Sequence, residues 1–285
     1  MDRNHEVEGF LETTAQQVTV DLTEKTAQIG SRYWIVLIVL AGLLILGIVG
    51  FIIRLLGGVS DHTKWGYYAA LFAYLLTTVQ AAPLVAIGLR AIKAEWRRPL
   101  SRAATLFTIV GVFNLLIYIP LVFVLPVTDG RKTIWFDWPG HTPHIYDTLA
   151  MVFLVLCGLA LLYFSALPDL VAVAKKLPGR RGVLLRKLTP NWEGTSHQWR
   201  LQKAGVGILG GLYFMFLVFT HFLISSDFAM SLVPGWKDAI FPAWHALSAL
   251  QAGLATVMVT LFILRVFGGY GDYIGLNQFW SLSKI

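Results

Sequence analysis

Ionisable side chains inside long apolar stretches are the residues most able to carry chemistry here, because each is costly to place in such surroundings. His221 lies within one such stretch, and Asp227 follows six residues later, near its end. His245 stands just inside the next stretch, after Pro242. Six residues correspond to about 600° of α-helical rotation, so His221 and Asp227 do not share a face of a straight helix. His245 is expected at the same depth as Asp227, which lets the three border one polar pocket. Imidazole and carboxylate groups exchange protons near neutral pH. Such a pocket suits a hydroquinone, whose hydroxyls need proton acceptors as electrons leave. The spacing alone does not select that ligand. His221 fits an interhelical hydrogen bond equally well, and Asp227 fits a solvated helix end.

Other chemistries find less support. His141 and His144 form an i, i+3 pair with Asp137 and Asp147 nearby, a pattern more simply structural than metal-binding. His221 and His245 make a poor case for a haem pair. With Cys157 as the one cysteine, disulfides and Cys-ligated iron–sulfur clusters are excluded within the chain. No Gly-rich phosphate loop or nucleophile elbow occurs. The expected inventory is therefore no metal, no haem and no cluster.

The elements that position these residues are legible from composition. Of 285 residues, 56% are hydrophobic and 14% charged, against about one quarter charged in soluble domains. Six apolar stretches, near 33–56, 66–92, 103–125, 147–172, 204–226 and 242–267, are long enough to cross a hydrocarbon core of about 30 Å. Backbone groups in lipid must be satisfied within the segment, so each stretch is expected to be helical. The fold class is thus an all-α, polytopic transmembrane bundle of about six spans. Residues 1–32 form a separate polar N-terminal segment, too charged for a signal peptide, and 33–285 form the membrane domain.

Lys and Arg set the orientation. With a cytoplasmic N-terminus, eighteen of the 23 basic residues fall on the cytoplasmic side and five on the other, a clear positive-inside bias. Both termini are then cytoplasmic. The net charge of +7 is accounted for by these short loops, and nucleic acid is not an expected partner. The outward loops, 126–146 and 227–242, hold Trp135, Trp138 and Trp236 among Pro and Gly. Tryptophan at a membrane surface is ordinarily an interface anchor, and the helix breakers suit short re-entrant or interfacial segments.

The run from His221 to Pro242, HFLISSDFAMSLVPGWKDAIFP, resembles the signature of NrfD/PsrC-type membrane subunits. It is especially similar to ActC and ActF, the membrane subunits of alternative complex III. Three further segments agree in order: EWRRPLSR at 95–102, LPDL at 167–170 and WEGTSHQW at 192–199. Together they cover roughly residues 65–285.

The resemblance implies an integral subunit of a quinone-linked respiratory oxidoreductase in the bacterial inner membrane. It would pass electrons between membrane menaquinol or ubiquinol and a partner. That partner would be an iron–sulfur or molybdopterin-type subunit docked at the outer face, with a sister membrane subunit and cytochrome c subunits beside it. His221 and Asp227 would then be catalytic, with Gln80, His245 and Trp236 completing the quinone site. Two departures stand out. Gln80 occupies the position where quinol-binding members carry a histidine. Glutamine can hydrogen-bond a quinone oxygen but cannot take the quinol proton. The alternative is a paralogous scaffold or proton-path subunit without quinone. The family also continues into another span after the segment matching 279–285, so the chain reads as shortened relative to it. A small transporter is a more distant possibility, since transporter helices break at the midplane. Here the breakers concentrate in the outward loops, apart from Pro83 and Pro120.

The charge bias predicts that a cysteine replacing Gly130 reacts with an impermeant thiol reagent from outside, whereas one replacing Gly182 does not. The reverse labelling pattern overturns the orientation.

Overall fold

The computed structural model describes residues 17, 20, 21, 24, 30–58, 62–124, 142–177, 179–189, 191–230, 233 and 235–285. The expectations for Asp137, His141, Trp135, Trp138 and Gly130, and for most of the N-terminal segment, lie outside them. The described residues are helical throughout their ordered elements and contain no strand. Six helical stretches are long and apolar enough to cross a membrane: Tyr33–Leu56, Thr63–Ala91, Glu95–Val124, His144–Lys175, Ser196–Phe228 and Phe241–Val266. The protein is an all-α, multi-pass membrane protein. The stretches match the sequence expectation but run further at several ends, because polar residues such as His144, His197 and Gln198 continue the helices beyond the apolar windows.

The chain divides into two compact units. One comprises Met1–Gly58 and Ala166–Gln198, the other Val59–Ser165 and Trp199–Ile285. In the first unit, α1 (Ser31–Leu56) is a single uninterrupted apolar helix. A short basic helix, α7 (Gly179–Leu188), follows the end of α6 (Thr142–Lys176). The Arg186 guanidinium donates to the Ala174 carbonyl at 3.1 Å and ties α7 back to α6. The WEGTSHQW motif has a local structural reason. The Gln198 side-chain oxygen accepts the N–H groups of Glu193, Gly194 and Thr195 at 3.0, 2.8 and 3.2 Å, and its Nε2 donates to the Asn191 carbonyl at 2.7 Å. One amide thereby holds the turn that leads into α8 (Ser196–Phe228), and the Thr195 hydroxyl oxygen accepts the Gln198 N–H at 3.3 Å in the first turn of that helix.

The second unit holds the candidate residues. Its second span is broken. α2 (His62–Tyr74) opens into a wide π turn over Leu75–Val79, and α3 (Pro83–Ala91) resumes after it. Pro83 has no N–H to give the Val79 carbonyl and its ring would crowd that turn. The Ala82 N–H serves Val79 instead, at 3.2 Å, while the Gln80 N–H reaches back five residues to Leu75 at 2.9 Å. Thr77 and Thr78 donate their hydroxyls to the carbonyls of Ala73 and Tyr74 at 2.8 and 2.5 Å. The break is thus stitched from within, as lipid requires.

The third span consists of α4 (Arg98–Leu106), a 3-10 turn over Phe107–Ile109, and α5 (Val110–Val124). α9 (Phe241–Val266) lies against the wide turn of the second span. α10 (Leu276–Leu282) follows it as a short helix. A buried cluster joins α3, α4, α9 and α10, with Leu89, Leu100, Ala104, Val257, Leu261 and Leu282 at its heart. Small residues set how closely these helices approach, as is usual in membranes. A Cβ on Gly253 would sit 2.6 Å from the Ala81 carbonyl carbon and 2.8 Å from the Ala82 nitrogen, both backbone atoms.

Two tests follow from these contacts. Gly253→Ala should lower thermal stability in detergent by about 1–3 kcal/mol through overpacking. Gly66→Ala, where a Cβ meets nothing within 4 Å, should be neutral or slightly stabilising. Equal stability of the two variants would contradict the close approach. For labelling, Gly182 is a poor probe, since it is buried and a Cβ there would collide with the Leu177 carbonyl oxygen. In a Cys157→Ser background, the exposed Leu184 on α7 replaces it. A cysteine at Leu184 should stay unlabelled from outside while one at Gly130 reacts.

Candidate functional site

The candidate residues resolve into three neighbourhoods in the second unit, each built by a different set of helices. The first joins α8 and α9. His221 is 1% exposed, and its Nδ1 donates to the Leu217 carbonyl one turn earlier, at 2.7 Å. A carbonyl can only accept, so that bond assigns the ring proton to Nδ1. Nε2 is left as an acceptor, buried and without a protein partner. The ring faces that of His245, with centroids 5.0 Å apart, and the Nδ1 of His245 likewise finds no partner. Ser225 donates to the His221 carbonyl at 2.6 Å, so the surrounding turn of α8 is well satisfied.

Aromatic rings continue outward from this pair. Phe241 stacks near His245 at 6.2 Å, and Trp236 packs on Phe241 at 4.7 Å. Trp236 itself is 38% exposed, in keeping with an interface anchor. The segment before α9 is a chain of tight turns. Asp238 Oδ1 receives the N–H groups of Ile240 and Phe241 at 2.9 and 3.2 Å, capping the helix start. Pro242 sits in its first turn, where a missing N–H does no harm. The cap and the proline together set where His245 enters the span.

The second neighbourhood joins α5, α6 and α8 around Asp227. Its carboxyl faces that of Asp147, and Tyr118 lies beside both. Asp147 and Asp227 are 1% and 5% exposed. Phe228 packs against both Tyr118 and His144, with centroids 6.4 Å away in each case. His144 and Asp147 lie on the first turns of α6 rather than in a loop. Their i, i+3 spacing places them on one helix face. Two neighbouring carboxyl groups make a proton-handling arrangement, since a proton between them relieves their like-charge repulsion.

The third neighbourhood is centred on Gln80, directly after the wide turn. Its side-chain oxygen accepts the Asn114 amide of α5 at 2.5 Å, and its backbone carbonyl accepts the Tyr213 hydroxyl of α8 at 2.6 Å. All three residues are buried. Glycines make the room. A Cβ on Gly111 would lie 2.8 Å from the Gln80 amide nitrogen, and one on Gly158 would lie 2.9 Å from the Tyr213 ring. Gln80 therefore bonds three helices to one another.

His221 and His245 come together, with Trp236 one ring removed. Asp227 turns away from His221 on the unbroken α8, in line with the 600° separation, and meets Asp147 instead. Asn114, Tyr118, Asp147 and Tyr213 complete the picture. Sequence reasoning placed Asp147 only beside a loop histidine pair and did not single out the other three. A polar side chain amid apolar neighbours was the available signal for each. No family model matches this chain, and no curated protein matches it either.

Proposed function

We propose that this chain is the quinone-facing membrane subunit of a respiratory oxidoreductase in a bacterial cytoplasmic membrane, passing electrons to an iron–sulfur partner docked at the outer face. The observation that carries this reading is the buried, unpartnered Nε2 of His221, held as an acceptor by the Nδ1–Leu217 bond and set against His245. A buried acceptor without a donor is destabilising, and a ligand hydroxyl is the natural complement. A hydroquinone supplies such a hydroxyl and, on oxidation, two protons and two electrons. His221 Nε2 would take one proton and the unprotonated ring nitrogen of His245 the other, while the two electrons pass to the iron–sulfur partner. The rings of Phe241 and Trp236 would flank the entry. The four ordered motifs that resemble NrfD/PsrC-type subunits support the same assignment.

A second reading has its own support. The Asp147–Asp227 pair with Tyr118 is suited to holding and passing protons, and the Gln80 side-chain oxygen is already engaged by Asn114. Both facts suit a scaffold or proton-path subunit of the same kind of complex.

The two readings part on mutation. In the assembled complex, His221→Gln should lower quinol-dependent turnover by on the order of a hundredfold with assembly intact. Asp227→Asn should do likewise if the carboxyl relays the quinol proton. Normal turnover in both variants would remove quinol chemistry from this chain. A proton path instead predicts that Asp147→Asn lowers proton uptake per electron while quinol oxidation continues.

A further inference from the structure

Among the described residues, five buried side-chain atoms without a hydrogen-bond partner in the protein lie along one seam of the second unit. They are Asn114 Oδ1 and the Tyr118 hydroxyl on α5, the Thr220 hydroxyl on α8, and both carboxyl oxygens of Asp147 on α6. None of these four residues is more than 1% exposed. Each unpaired buried polar atom costs about 1–3 kcal/mol. Internal water is the usual remedy, typically making about three hydrogen bonds to such groups.

Spacing and the contacts at its two ends define the seam. Tyr213, Thr220 and Asp227 recur every seven residues on α8, about 20° short of two full turns, so they share a face. At one end the Tyr213 hydroxyl and the Asn114 amide both bond Gln80. At the other, Tyr118 lies beside Asp147 and Asp227. Asn114 and Tyr118 stand one turn apart on α5, and Thr220, midway along α8, faces the same strip.

Depth can be counted from Gly158, whose Cβ would lie 2.9 Å from the Tyr213 ring and 3.2 Å from the Thr108 Cβ. That contact marks one level on three helices. At about 1.5 Å per residue, Asn114 and Thr220 stand about 9 and 10 Å from it toward the carboxyl pair, and Tyr118 and Asp147 about 15 and 16 Å. On the opposite side a cavity of about 600 Å³ begins. Thr105, Leu161 and Gly210 line it, each about one turn from Thr108, Gly158 and Tyr213 respectively. Its lining extends to Arg90, Arg97 and Arg102. The Tyr213 side chain therefore stands between a cavity roomy enough for water and a row of atoms that need it.

We propose that the α5–α8 seam holds a file of internal waters, and that file and cavity form a proton path closed by the Tyr213 hydroxyl on the Gln80 carbonyl. The proposal rests on the second reading above, in which Asp147 and Asp227 handle protons. Waters bridging Asn114, Thr220 and Tyr118 relay a proton by exchanging hydrogen bonds, with no net change in those side chains, and the carboxyl pair takes or releases it at the outer end. The Tyr213 proton is committed to a carbonyl, which accepts but does not donate, so the path is shut in this state. An apolar occupant would leave the five atoms unpaired. A transported metal ion would find no group of three His, Cys, Asp or Glu among the described residues.

Two measurements on the full chain test this. In detergent, radiolytic hydroxyl radicals mark side chains next to internal water, and mass spectrometry reads the products. Relative to the same residues in the unfolded chain, Tyr118 should be at least about fivefold less protected than Leu100 and Leu261, which are similarly buried in the apolar cluster. In liposomes under a potassium diffusion potential, Tyr213→Ala should conduct protons at least about tenfold faster than the unmodified chain. Adding Thr220→Val and Asn114→Leu should remove most of that gain. Equal protection of Tyr118 and the two leucines would overturn the proposal, as would a folded Tyr213→Ala without added conductance or a gain that survives the two further substitutions. If Tyr213→Ala does not fold, the footprint of the unmodified chain decides. Hydration and conductance as expected, with normal proton uptake per electron in Asp147→Asn, would instead remove the reading on which the path rests.

Discussion

With no water at the depth of a lipid core, a backbone amide or carbonyl that loses its partner costs several kcal/mol. In the second span that loss is forced by Pro83, and much of the second unit is arranged around how it is made good. The freed Val79 carbonyl is taken up by the amide three residues ahead, and two threonine hydroxyls bond the carbonyls of Ala73 and Tyr74 where the helix enters the wide turn. The helix widens as it does so. Gln80 emerges directly after the widened turn, with its side chain toward α5 and its carbonyl toward Tyr213 of α8. A straight helix would have sent that amide elsewhere, and α5 and α8 would lack a common polar tie.

The spans were legible because a membrane imposes length and apolarity together, and a run such as 33–56 is too long and too apolar to be anything but a span. The break near Pro83 was visible as a proline inside an apolar run, but not the wide turn before it. Its geometry depends on which hydroxyls and amides reach the freed carbonyls. Within a single helix, rotation is computable from residue spacing, and the divergence of His221 and Asp227 along α8 was accessible for that reason. Partners across helices were not. Asn114 lies 34 residues from Gln80 and Tyr213 lies 133 away, and both pairings depend on helix rotations that one-dimensional patterns do not hold. Asp147 illustrates the same limit. It was expected to open the fourth span at 147, whereas polar residues in the first turns of a helix cost little and α6 begins at Thr142, so its partner Asp227 on α8 was not visible.

The three polar neighbourhoods differ in how completely they are satisfied, and that difference orders their roles. Around Gln80 two short, buried bonds tie the second span to α5 and α8, and the Asn114 side-chain oxygen is the atom left without a partner there. Around His221 a ring nitrogen is buried with nothing to bind it, which is unusual in native proteins and concentrated at working sites. At the carboxyl pair, both Asp147 oxygens and the Tyr118 hydroxyl are likewise buried without a protein hydrogen-bond partner, and the two carboxyl groups carry like charge when ionised. The amide network, the histidine pair and the carboxyl pair thus form separate clusters within one unit, joined by α8, which contributes Tyr213, His221 and Asp227 to them in turn.

Gly253 has a mechanical meaning beyond packing. At that point α9 touches the Ala81–Ala82 backbone directly, and every neighbouring position on the helix carries a side chain that would strike the same atoms. A β-carbon brought to this point would meet the Ala81–Ala82 backbone, so the register of α9 against the broken span is set by the absence of a side chain at 253. His245 lies eight residues from this fulcrum, about 12 Å along the helix, and Val257 lies one turn beyond it on the other side. The contact at Gly253 therefore lies between the apolar cluster that holds one half of α9 and the histidine pair borne by the other, and the placing of the His245 ring against His221 depends on how closely two backbones meet.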